Sequence, residues 1–170
     1  MTCKAPSVSR GKRRSAARLA AVQALYQLDV AGGGAEAVVG EFNRYRLGGE
    51  VDGAQLVEAE PELFGNLVLG VTQSRAELDQ RLATVIHDEL PLDRLELLLQ
   101  AILRAGAYEI LKRTDIDPPL TISEYVDVAN SFFVSRESTM VNRVLDRLAH
   151  ESRSDDMGDL PHDARGEAER

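Results

Sequence analysis

Apolar positions recur along most of the chain at intervals of three and four, the period of one face of an α-helix. Leu19, Val22, Tyr26 and Val30 share such a face and predict a first helix from about Arg14 to Val30, stopped by Gly32-Gly33-Gly34. Arg14 and Arg18, four apart, fall off that face, whereas Tyr26 is turned toward the core as a packing residue. Val38, Val39, Phe42 and Tyr45 mark a shorter second helix, and a Gly- and acid-rich loop follows from Gly48 to Glu60. Pro61 suits a first helical position and Glu62 a first turn. Behind them Phe64, Leu67, Val71, Leu78, Leu82 and Val85 predict one long amphipathic helix to about Ile86.

The stretch Leu95 to Arg113 is apolar over most of its circumference, with Glu96, Gln100 and Arg104 as a narrow polar strip. Such a helix is buried on several sides and belongs at the centre of a fold. Glu109 lies off the strip, and an ion pair with Arg113 four residues on is its expected partner. Asp117-Pro118-Pro119 bars continuation. Thr121-Ile122-Ser123-Glu124 reads as a capping box that opens a further helix. After a break near Val134-Ser135, Met140, Val141, Val144, Leu145 and Leu148 define the last one. From Glu151 the apolar period is gone, which predicts a disordered polar tail over 151–170. No strand and no internal repeat is predicted. The expected architecture is all-α, a compact bundle of about six or seven helices.

Composition narrows the function classes. With 170 residues, 44% of them hydrophobic, the chain is long enough for one core. No apolar run approaches the roughly 20 residues that span a bilayer. The basic N-terminus followed by an apolar stretch imitates a signal peptide, but Gln23, Gln27 and Asp29 interrupt the stretch and no cleavage site follows. The chain reads as mature and cytoplasmic, without a membrane role. One cysteine, Cys3, gives neither a disulfide framework nor a metal cluster. His87, His150 and His162 stand alone, and Asp88 and Glu89 precede Pro91 in what reads as a solvated loop. With no Gly-rich phosphate loop, HExxH or GxSxG, no enzyme and no cofactor is expected.

Charge distribution points elsewhere. Residues 1 to 18 carry Lys4, Arg10, Lys12, Arg13, Arg14 and Arg18 and no acid, which leaves −14 on the remainder of a chain whose net charge is −8. That is a basic arm, here over 1–12 and into the first helix, on an acidic body. Cations at a helix N-terminus oppose the macrodipole by a few tenths of a kcal/mol each. A polyanion compensates them, since arginine meets phosphate with charge-assisted, often bidentate bonds and stacks on unpaired bases.

Three segments together resemble the NusB transcription antitermination factor family. RRSAARLAAVQALYQ from Arg13 is similar to its Arg-rich first helix, AILRAGAYEI from Ala101 to its central helix, and TISEYVDVANSFF with MVNRVLDRLA to its last two helices. The likeness spans roughly residues 13 to 150, in order and with fitting spacings.

The resemblance implies two three-helix bundle halves, no catalysis, and an adaptor that pairs with NusE, a small-subunit ribosomal protein. The pair binds box A-type single-stranded RNA and helps the RNA polymerase antitermination complex read through terminators, notably in ribosomal RNA operons. By position it implies RNA contacts at Lys12, Arg13, Arg14 and Arg18 with Tyr26 near them, and at Met140, where an aromatic residue is usual, and Asn142. Asn142 is equally placed to bond backbone at a helix start. The chain departs from the family pattern at Arg143 (usually glycine), Arg136 (usually acidic), Thr139 (commonly lysine), Phe133 (usually glycine) and Leu99 (often an acid that helps hold NusE). Arg136 and Arg143 would extend the RNA-binding surface. The competing expectation is a helical protein–protein scaffold with weakened RNA binding. A similar domain precedes some ribosomal RNA methyltransferases, but a stand-alone methyltransferase would need a Gly-rich cofactor loop. A homodimer is the other arrangement that would pair the apolar faces of the two halves.

Overall fold

The structure is a computed structural model that describes residues 7–51, 54–87 and 90–158. Seven α-helices are present among the described residues: α1 Arg10–Ala31, α2 Ala35–Tyr45, α3 Pro61–Gln73, α4 Arg75–Val85, α5 Leu97–Lys112, α6 Pro118–Phe132 and α7 Ser135–Gly158. Helices α1, α2 and α3 pack together as one half; α5, α6 and α7 form the other, with α4 laid against α5 and α7. None is long and apolar enough to cross a membrane.

The central helix is where the apolar run predicts it. Eleven of the sixteen residues of α5 are buried, and it touches α1 and α3 as well as the helices of its own half. Gly106 lets α7 come close: a Cβ there would stand 2.6 Å from Leu145 Cδ1. Helix α1 meets the core through methyl groups, with Ala17, Ala20, Ala21 and Ala24 buried beside Val22 and Leu25. The predicted stripe is thereby corrected. Leu19 is half-buried, and Tyr26 and Val30 are exposed at 40% and 58%. Large residues drew the expected face, but the small ones sit inside.

Four boundaries also differ from expectation. Arg10 and Lys12 do not lie in an arm ahead of the helix: α1 starts at Arg10, where the Ser9 hydroxyl accepts the Lys12 N–H at 3.3 Å. Residues 1–6, which include Cys3 and Lys4, lie outside the described residues. The long third helix is two, because Ser74 closes α3 (its N–H to Gly70 O) and opens α4 (its carbonyl accepting from Leu78 N). The predicted apolar positions are buried in both pieces, so the period runs on through the break at Ser74. The capping box is overridden: α6 starts earlier, with Asp117 at the N-cap position without a side-chain cap bond, and Pro118 and Pro119 in first-turn positions that need no N–H. Thr121 is therefore buried inside the helix. Helix α7 runs to Gly158, past the expected end at Glu151. Residues 159–170, including His162, lie outside the described residues, as do Asp88 and Glu89.

The loop from Gly48 to Glu60 holds a short antiparallel pair that the sequence reading missed, Gly49–Val51 with Ala54–Leu56, Glu50 opposite Gln55. Asp-Gly at 52–53, outside the described residues, is hairpin-turn composition. Past the hairpin, Glu60 N donates to Arg13 O at 3.1 Å and pins this segment to the first turn of α1.

Replacing Gly106 with valine is expected to destabilise the protein by about 1–3 kcal/mol through overpacking of α5 against α7. Urea unfolding followed by circular dichroism measures it.

Candidate nucleic-acid interface

The cations at the start of α1 differ in depth. Arg10 and Lys12 are exposed, Arg13 and Arg14 are half-buried, and Arg18 is buried at 2% exposure. Arg10, Lys12 and Arg13 form no ion pair with any described residue. Arg14 Nε stands 3.6 Å from Glu60 Oε2. The Arg113 hydrogen bond holds the Asp115 carboxyl at about 2, below its ordinary 3.8, and the charge of Arg14 adds the smallest contribution. The helix dipole and the absence of ion pairs to described residues thus leave Arg10, Lys12 and Arg13 open to an outside anion, and Arg14 only in part.

Arg18 has another job. Its Nε and Nη2 donate to Glu109 Oε2 and Oε1 at 2.8 and 2.9 Å, a bidentate pair with both side chains buried. Tyr125 donates its hydroxyl to the same carboxylate at 2.6 Å. Glu124 Oε2 lies 3.4 Å from Arg18 Nη1 and accepts from Ser15 Oγ at 2.6 Å. The expected phosphate contact at Arg18 is corrected to a core ion pair joining α1, α5 and α6. Glu109 is likewise not paired with Arg113, which holds Asp115 instead. Burial opposes the charge on Arg18, but the hydrogen bond and attraction of Glu109 outweigh it and hold the guanidinium above its ordinary value. Burial first, then the Glu109 charge, pushes the Tyr125 phenol well above 10.

Three grooves follow one another from this basic end. The first, between α1 and α6, is lined by Lys12, Ser15, Leu19, Glu124, Val128 and Ser131, among others. The second, continuing along α1, exposes Tyr26, Val30 and Phe132 with Leu98 and Glu96. Glu96 also borders the third, a cleft of about 580 Å³ between residues 90–99 and the start of α7. Leu99, Arg136 and Met140 meet there with Arg94, Leu95 and Glu137.

The expected site residues therefore divide. Lys12, Arg13 and Arg14 stand together at one end; Tyr26 lies exposed in the middle groove, and Arg136 and Met140 line the far cleft. Met140 is only 5% exposed, so it offers a wall, not a projecting contact. Asn142 is exposed and Arg143 half-buried further along α7, outside the lining of that cleft. Phe132, Leu98, Arg94 and Glu137 were not singled out from sequence. For Phe132 a signal existed, since it follows Tyr125 and Ala129 on the α6 face; for Glu137 there was none. Among the described residues no group of His, Cys, Asp and Glu is arranged to hold a metal.

Comparison with known proteins bears on the fold. The NusB family model matches residues 15–150. Proteins named transcription antitermination protein NusB from Bradyrhizobium sp. and Brucella ovis are each 47% identical over 149 residues; these cover 88% of this chain and 88% and 87% of theirs. NusB of T. maritima superposes with a TM-score of 0.68 at 23% identity, over 86% of this chain and 97% of its own. A structure of NusB and NusE in complex with double-stranded RNA gives 0.69 at 21%, over 82% and 98%.

Two outcomes follow from the buried pair. Arg18→Met is expected to cost about 3–5 kcal/mol by stranding Glu109, and Arg18→Met with Glu109→Met to recover most of it, in urea unfolding. Because the Tyr125 value is raised on folding, its contribution to stability is present below pH 10 and lost as pH rises past it. Absorbance at alkaline pH should show one of the four tyrosines ionising only on unfolding.

Proposed function

The chain belongs to the NusB family, and from that premise we propose that it is a cytoplasmic RNA-binding adaptor of transcription antitermination. In this reading it pairs with NusE and binds box A-type single-stranded RNA of nascent transcripts. The pair then joins the RNA polymerase antitermination complex, notably on ribosomal RNA operons. The observation that carries the reading is the first turn of α1. Arg10, Lys12 and Arg13 form no ion pair with any described residue and have the helix dipole against them. RNA phosphate supplies the missing charge, and such contacts make binding salt-dependent.

The partner surface in this reading is the middle groove. Tyr26, Val30 and Phe132 expose apolar area there beside Leu98, and aromatic anchors of this kind dominate protein interfaces. Its place between the basic turn and the far cleft lets a protein and an extended RNA strand be held side by side. A second copy of the chain is the competing occupant of the groove.

Fluorescence anisotropy of a box A RNA, with and without NusE at two salt concentrations, tests the proposal. Weak binding alone and tighter binding with NusE are expected. Lys12→Ala with Arg13→Ala should lower affinity across RNA sequences and reduce the salt slope by about two. Tyr26→Ala with Phe132→Ala should remove the gain from NusE and leave RNA binding by the chain alone. Absence of RNA affinity in both states at low salt would refute the reading.

A further inference from the structure

One residue is common to the partner groove and the far cleft. Glu96 lines both, and no other residue of either lining does. It stands exposed on the ridge between them, and its carboxylate forms no ion pair or hydrogen bond with any described residue. The ridge itself is fixed. Leu95 N donates to Leu92 O at 3.2 Å, which closes the short turn ahead of α5. The buried Gln100 side chain donates through Nε2 to Leu95 O at 2.8 Å. The helix dipole favours an acid at the start of α5. It does not explain why this one caps nothing, for Glu96 occupies the N-cap position with no side-chain cap bond.

The two sides of the ridge act on that carboxylate in opposite ways. In the groove it shares a lining with Tyr26, Leu98 and Phe132. The other charge of that lining, Arg46, is already engaged, 3.3 Å from Glu41 and 4.9 Å from the centre of the Phe42 ring. A protein that covers the apolar surface takes Glu96 out of water, and a desolvated carboxylate without a cation is costly. The occupant therefore brings a lysine or arginine to it. In the cleft, Arg94 and Arg136 stand exposed without an ion pair to any described residue. There the charge of Glu96 opposes the polyanion that they attract.

We infer that Glu96 couples the two sites. Its free carboxylate holds RNA affinity down while the groove is empty, and a basic side chain of the docked protein neutralises it. A charge answered from the groove thus removes a repulsion in the cleft, and the coupling needs no movement of the fold. Such coupling is reciprocal, so bound RNA raises the affinity for the protein by the same factor. The inference rests on the reading above, in which a protein fills the groove and RNA passes the cleft, and the test separates the two.

Anisotropy with a box A RNA and with labelled NusE, separately and together at low salt, compares the full chain with Glu96→Gln. The substitution is expected to act with opposite signs on the two ligands. RNA alone should bind about threefold tighter and NusE alone about threefold weaker. The gain in RNA affinity from NusE should shrink, because its cation has lost the anchor beside the cleft, and both shifts should fade at high salt. Asp93→Asn, at an exposed acid of the same turn that lines neither site, should produce neither shift. An undiminished gain, NusE affinity unaltered by Glu96→Gln, or the same pair of shifts from Asp93→Asn overturns the inference and leaves the antitermination reading standing. No RNA binding in either state, or no gain from NusE with the unsubstituted chain, overturns both.

Discussion

The buried pair of Arg18 and Glu109 is the constraint from which the rest of the arrangement follows. Two opposite charges have been taken out of water, and only near-complete hydrogen bonding makes that tolerable. Glu109 receives three donors, two from Arg18 and one from Tyr125. Arg18 in turn touches Glu124, which also accepts from Ser15. One carboxylate in the central helix thus sets the position of α1 against α6. Hydrophobic contacts alone would let these helices rotate by small steps, since they are not directional. Bidentate geometry admits far fewer poses.

That constraint decides how the cations of α1 can act. They look equivalent in sequence, yet depth sorts them: the innermost holds the bundle together, Arg14 is shared with Glu60, and the outermost face water. The proposed RNA contacts are consequently rigid at their base. The Glu60 N–H bond to Arg13 O fastens the same turn from the side of α3. A phosphate meeting Lys12 and Arg13 would find them on an ordered helix, so less entropy is lost on binding than with a mobile arm.

The helical class and the central position of α5 were legible in the sequence, because apolar periodicity over long segments reports burial directly; the family was legible only through the resemblance of three ordered segments. The face of α1 was not. Four alanines carry little weight in a hydrophobic stripe beside Leu19, Tyr26 and Val30, yet close packing selects the small residues. Arg18 was misread for a related reason: a lone arginine in a helical pattern looks solvated unless its partner, 91 residues away, is known. Thr121 shows competition between two valid signals, in which paired prolines outrank a capping box. The far cleft brings residues 90–99 together with the start of α7, and no local pattern announces Glu137 as one of its walls.

The alanine face of α1 has a consequence for how such a sequence can change. A helix seated on methyl groups lies close to its neighbours, so enlarging Ala17, Ala20, Ala21 or Ala24 would lift the whole helix and everything mounted on it. The opposite side bears no such burden, and its charges can be exchanged one at a time without moving the backbone. Substitution around this helix is therefore expected to be lopsided: the inner face would hold the frame still while the outer face could be rewritten to suit a different polyanion.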